Sequence, residues 1–159
     1  MLTDTAVGHH GRVPTPAPSP GLLYLIKQLE LAARARLDDL LRPEGLTSLQ
    51  YTALTVLERR SDLTTAELAR NSFVTDQTMA GMVAALEEHG FIARKTDPHD
   101  RRRRVIHLTS KGERLLDRVR DPVADLETRM LSGLGPHETD DFRHYVGLCH
   151  AALADRPPH

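Results

Sequence analysis

The sequence predicts a mainly helical chain with one small β-hairpin, on three observations. Apolar residues recur at helical spacing over most of the 159 residues. Helix-start signatures stand before several of these stretches: Thr47 with Gln50, Thr64 with Glu67, Thr75 and Thr109. One region breaks the helical pattern: Phe91–Lys95 and Arg104–Leu108 carry Ile92, Val105 and Ile106 on either side of an Asp-Pro turn, as paired strands would.

The elements follow in order. Residues 1–20 alternate Pro14, Pro16, Pro18 and Pro20 with small and polar residues, and prolines at such spacing deny hydrogen bonds to helix and sheet alike; an extended, disordered arm is expected. His9 and His10 within it are expected to be solvated. A first helix should run from about Gly21 to Arg42 on Leu22, Leu25, Ile26, Leu29, Ala33, Leu37, Leu40 and Leu41, stopping at Pro43 and Gly45. The second starts at Thr47, whose partner Gln50 completes a capping box, and ends near Arg59. The third has the fullest start signal, with Thr64 as cap, Glu67 as return partner and Leu63 and Leu68 as hydrophobic staple. A turn through Ser72-Phe73-Val74 leads to Thr75, the cap of a fourth helix that runs to about His89 and stops at Gly90. Beyond the hairpin, Thr109 caps a fifth helix in which Pro122 predicts a kink near Asp121. Pro136 opens a sixth, which presents Phe142, Tyr145, Val146, Cys149, Ala152 and Leu153.

Composition narrows the function classes. No apolar run approaches the length that spans a bilayer, and the N-terminal segment lacks the apolar core of a secretory signal, so no membrane partner and a cytoplasmic location are expected. A single cysteine, Cys149, excludes an intrachain disulfide and suits a reducing compartment. There is no phosphate-cradling glycine loop, no nucleophile elbow and no paired metal motif, so neither an enzyme nor a cofactor is expected. His137, His144 and His150 are spaced by seven and six, which places no adjacent pair at ligand spacing on one helix face; no metal is expected.

Charge supplies the sharpest clue. The net charge is −1, yet residues 91–120 hold ten Lys/Arg against four Asp/Glu, and both flanking segments are acidic on balance. Arg101, Arg102, Arg103 and Arg104 stand together at and just after the hairpin tip. Local rather than total charge decides where a polyanion docks. The order helix, helix, short helix, turn, helix, hairpin is that of a winged helix-turn-helix, whose second helix enters a DNA major groove about 12 Å wide. The fourth helix is then the reader. Gln77 can bond adenine bidentately, and Thr78 can meet a thymine methyl or a phosphate. Thr65 and Arg94 join the expected DNA contacts. Thr75 and Asp76 either meet DNA or simply cap the helix. An arginine at the hairpin tip can enter a narrow minor groove while its neighbours bind phosphates. Asp97 and Asp100 are expected to hold the loop and orient arginine side chains.

The stretches Gly45-Leu46-Thr47, Leu63-Thr64-Thr65-Ala66-Glu67-Leu68-Ala69, Leu86-Glu87-Glu88-His89-Gly90-Phe91-Ile92-Ala93-Arg94, Asp97-Pro98-His99-Asp100-Arg101-Arg102-Arg103 and Leu108-Thr109-Ser110-Lys111-Gly112 carry a resemblance. From Leu46 to Gly112 the chain resembles regulators of the multiple-antibiotic-resistance (MarR) family. The resemblance implies a ligand-responsive repressor acting as a homodimer on duplex DNA. It implies a winged helix-turn-helix over residues 46–109, with dimerisation helices at 21–45 and 110–159, all one domain over 21–159. It also implies that Asp100 and Arg102 form the Asp-x-Arg pair that places arginine in the minor groove. One departure stands out. Where the family often carries a basic residue midway along the reading helix, this chain has Gly81, and the whole helix lacks Lys and Arg.

The apolar stripes of the first and last helices are broader than the winged unit can cover, which fits a twofold dimer with reading helices roughly 34–36 Å apart on a pseudo-palindromic site. A pocket for a small aromatic or lipophilic effector is expected where the first, second and fifth helices meet, lined by Tyr24, Gln28, Arg34, Tyr51 and Thr55, with Arg34 able to pair with a carboxylate. Two alternatives remain open: a winged-helix protein–protein adaptor, and a redox-sensing regulator working through Cys149.

Overall fold

The computed structural model describes residues 19–154, so the expected arm lies outside the described residues except for Ser19 and Pro20. Six helices and one hairpin follow: α1 (Leu22–Leu41), a 3₁₀ turn (Arg42–Glu44), α2 (Ser48–Arg59), α3 (Thr65–Asn71), α4 (Asp76–Glu88), β1 (Ile92–Thr96), β2 (Arg104–Leu108), α5 (Ser110–Met130) and α6 (Pro136–Ala154). The expected fold class is the observed one.

Local chemistry accounts for the starts. Thr47 and Thr64 each close a full capping box: the threonine oxygen accepts from the amide three residues on, and Gln50 or Glu67 accepts from the cap amide. Thr75 and Thr109 cap α4 and α5 through their side chains alone. At the end of α4 the Phe91 amide reaches back to the Leu86 carbonyl, which requires the left-handed φ of 75° that Gly90 adopts.

The core is aliphatic and central. Leu41, Leu54, Leu57, Leu68, Met79, Leu86, Ile92, Ile106 and Leu115 are fully enclosed, drawing every element except α6 onto one cluster. β1 and β2 pair antiparallel from Ile92–Leu108 to Thr96–Arg104. A single bridge joins Leu63 to Ile106, so the hairpin base is stitched to the segment entering α3.

Close packing fixes the join between hairpin and α5. A Cβ at Gly112 would stand 2.1 Å from the Phe91 carbonyl oxygen. That oxygen already accepts the Thr109 amide at 3.1 Å, and the Thr109 hydroxyl donates to the Gly90 carbonyl at 2.6 Å. Only glycine lets the helix approach the strand this closely.

One strand boundary differs from the expected one. β1 starts at Ile92 and runs to Thr96, one residue later than expected. α5 continues as one helix through Pro122. The missing proline N–H costs one backbone bond, which the long flanking turns tolerate.

Candidate nucleic-acid interface

α3 and α4 are joined by a tight turn in which Phe73 adopts a φ of 58°. Its ring stands 77% exposed, edge-on to His150 of α6 at 5.7 Å between centroids. The start of α4 is open: Thr75, Asp76, Gln77, Thr78 and Gly81 are all exposed, while Met79, Val83 and Leu86 face the core. Thr75 accepts from the Thr78 amide at 3.2 Å and donates to the Thr78 hydroxyl at 2.9 Å. Capping is therefore its observed role, and Thr78 keeps its own hydroxyl proton for an outside acceptor. Thr65, on the first turn of α3, is half-buried.

The wing tip is built by carboxylates and backbone. The Asp97 amide donates to the Arg103 carbonyl, and the Arg103 amide to the Asp100 carbonyl, both at 2.9 Å. Asp97 Oδ1 accepts the His99 amide, and Asp100 Oδ1 accepts the Arg102 amide, again at 2.9 Å. These side-chain turns replace backbone partners that a loop lacks. Asp100 thus holds the loop without orienting a guanidinium.

The five basic residues expected at DNA separate into two groups. Arg101, Arg102 and Arg104 are exposed, and no carboxylate of the described residues lies within ion-pairing distance of them. Arg103 is placed differently. Its guanidinium turns inward, donating to Glu67 at 2.5 Å and to Asp97 at 2.9 Å. Arg94 is engaged too: its Nε pairs with Glu87 at 3.1 Å and ties β1 to the end of α4.

The wing's ion pairs leave an electrostatic signature. Glu67 is held down to about 2, chiefly by the Thr64 amide, then by the Thr64 hydroxyl and Arg103. Asp97 is lowered by the His99 amide first and Arg103 second, and Glu67 and Asp97 in turn raise Arg103. In the sequence Glu67 is visible only as a capping residue. Nothing local announces that its other role is to receive an arginine 36 positions away.

A cavity of about 570 Å³ opens between α1, α2 and α5, at the expected place. Its walls are Leu29, Ala33, Leu37, Leu49, Val123, Leu126 and Met130, with Ser48 and Thr52, whose hydroxyl donates to the Ser48 carbonyl at 2.9 Å, and the charged Glu30, Arg34, Arg36, Glu127 and Arg129. Of the five lining residues expected, Arg34 alone is there, paired with Glu30. Tyr24 and Gln28 bond each other on the exposed N-terminal turns of α1. Tyr51 packs against the core instead, and the Thr55 hydroxyl donates to the Thr52 carbonyl at 2.9 Å. Rotation about α2 accounts for Tyr51, which lies roughly 100° around the helix from Thr52, a residue of the cavity wall.

Outside this region, Cys149 is exposed on α6. Among the described residues, no helix is long and apolar enough to cross a membrane, and no group of three His, Cys, Asp or Glu residues is arranged to hold a metal ion.

A helix pair with an open second helix, flanked by a hairpin bearing free arginines, defines a winged helix-turn-helix protein. The MarR family model matches residues 44–103. The HTH-type transcriptional repressor Rv2887 of Mycobacterium tuberculosis is 30% identical over 123 residues, spanning 77% of this chain and 88% of the relative. The crystal structure of that protein in complex with DNA superposes with a TM-score of 0.68 at 27% identity, covering 82% of this chain and 98% of the other. The Staphylococcus aureus MepR–DNA complex shares the fold, with a TM-score of 0.75 at 23% identity over 85% of this chain and all of the other. The chain belongs to the MarR family of transcriptional regulators.

Proposed function

We propose that this chain is a homodimeric, effector-controlled repressor that binds a pseudo-palindromic duplex DNA site, works in the cytoplasm and catalyses no reaction. The observation that carries the reading is the wing: Arg101, Arg102 and Arg104 project from a braced tip with no internal partner among the described residues. In this reading Arg102 enters the minor groove and Arg101 and Arg104 meet phosphates. Gln77 and Thr78 read base edges from the open start of α4, and Gly81 leaves that helix without its own phosphate contact.

Two end segments support the dimer. Seven large apolar side chains of α1 and five of α6 are exposed in the single subunit. Fully burying such a side chain yields about 1.5–3 kcal/mol. Covering half of them in both copies outweighs an association cost on the order of 4–15 kcal/mol. α1 and the segment from residue 110 onward are then the dimerisation elements.

The cavity supports an effector. Apolar walls with arginines among the lining suit a small aromatic or lipophilic acid, with Arg34 as its carboxylate partner. The structure of the relative Rv2887 with p-aminosalicylic acid belongs to a chain 28% identical to this one.

A mobility-shift titration against duplex DNA flanking its own gene, repeated over a salt series, tests the reading. Retardation that weakens steeply with salt is expected. Binding that ignores salt, or none at all, favours a protein–protein adaptor. Gln77→Ala should relax sequence preference more than it weakens nonspecific binding; an equal loss on all sequences means that Gln77 touches phosphate.

A further inference from the structure

We infer that Arg103 is a positioning residue: with Glu67 and Asp97 it clamps the distal wing to the first turn of α3 and so sets where Arg102 meets DNA. The inference rests on the DNA-binding role proposed above and adds a group that acts without touching the nucleic acid.

The geometry points this way. The hairpin has only five residues per strand and two strands, and such a ribbon is marginal by itself. Its base is secured by the Leu63–Ile106 bridge and the buried Ile92 and Val105. Beyond the last pair, Thr96–Arg104, the tip is held by the hydrogen bonds and ion pairs of Asp97, Asp100 and Arg103. There Arg103 reaches across to Glu67, which the Thr64 amide and hydroxyl already fix at 2.8 and 2.9 Å. Glu67 is thus a rigid post on the helix-turn-helix unit. The second anchor, Asp97, is only 8% exposed and also bonds the His99 amide, so the guanidinium joins post and loop at once. Removing Arg103 leaves both carboxylates without their cation, and removing the Glu67 charge leaves the guanidinium tied only to Asp97 of the loop itself; either way the tip is free to swing. A groove contact displaced by an ångström or so is largely lost.

Glu67→Gln separates this role from a direct DNA contact by the sign of its effect. Glutamine retains the capping box, so α3 keeps its start while the charge that holds Arg103 disappears. If Arg103 were a DNA ligand held in reserve, the variant would free a cation, remove an anion and bind DNA more tightly. A clamp predicts weaker binding instead, by roughly ten-fold in fluorescence anisotropy with duplex DNA flanking its own gene. In the Glu67→Gln background, Arg102→Ala should cost much less than it does in the wild type, because the contact is already misplaced. Equal or tighter binding by Glu67→Gln, or an undiminished cost of Arg102→Ala, overturns the proposal. Amide hydrogen exchange on the protein alone supplies a readout independent of DNA. The Asp97 and Arg103 amides should exchange about ten-fold faster in Glu67→Gln and in Arg103→Gln, with the core amide of Leu54 unchanged. Unchanged wing exchange overturns the clamp even if the protein binds no DNA, whereas failure of the wild type to bind DNA with faster wing exchange in the variants overturns only the DNA-binding role.

Discussion

The middle of the chain and its two ends solve the burial problem differently. From Leu41 to Val119 each helix turns a face into a shared core, and residues such as Leu54, Met79 and Leu115 lose all contact with solvent. At the ends, Leu23 is 81% and Leu153 76% exposed, and α6 buries no residue at all. The middle is finished within one subunit, while the ends are finished only against another surface. In the proposed dimer the winged unit presents arginines outward, and the ends set how two such units are spaced.

The contrast breaks most visibly at the ends. Ile26→Asp should convert the dimer to monomer in sedimentation velocity while far-UV circular dichroism keeps its helical form. An unchanged dimer would place the interface elsewhere. In the middle, the largest stability effect is expected at Gly112. Gly112→Ala drives a methyl into the Phe91 carbonyl and should cost about 3 kcal/mol, the upper end for overpacking, in urea unfolding. A cost near zero would mean that α5 and the hairpin are not rigidly joined.

Acid offers a milder test within the finished region. Glu67 keeps its charge down to about 2 when folded, against an ordinary 4.5. The unfolded chain takes up the proton first, so the stabilisation is complete above 4.5 and drains as pH falls toward 2. Stability in that window should fall more steeply for the wild type than for Glu67→Gln, as followed by thermal melts at stepped pH. Parallel curves would show that the bonds to Thr64 and Arg103 do not shift this carboxyl. The smallest effect is a gain. An added Cβ at Gly81 meets nothing within 4 Å, so Gly81→Ala should raise stability by about 0.5–1 kcal/mol. A loss would show that the exposed face of α4 is constrained in a way the single subunit does not reveal.

What could be read from the sequence was local. Thr47–Gln50, Thr64–Glu67 and Gly90 act within one turn of chain, and each was legible from spacing alone. The apolar stripes of the end helices were legible too, because an uncovered stripe is a property of one helix. What escaped depended on distance or on rotation. The Arg103–Glu67 pair spans 36 positions, and four identical arginines offer no clue to which one turns inward. The cavity was placed among the correct helices, but its lining depends on how α1 and α2 are rotated, and Tyr51 missed it by a quarter turn or so. Gly112 was visible as part of a motif, but the Phe91 carbonyl that demands it was not.

The most direct test compares wild type with Arg102→Ala on duplex DNA flanking its own gene, by fluorescence anisotropy over a salt series. A strong loss of affinity and a log–log salt slope shallower by about one unit are expected, with circular dichroism unchanged. Equal affinity and equal slope in a folded variant would contradict the claim that this wing is what grips DNA.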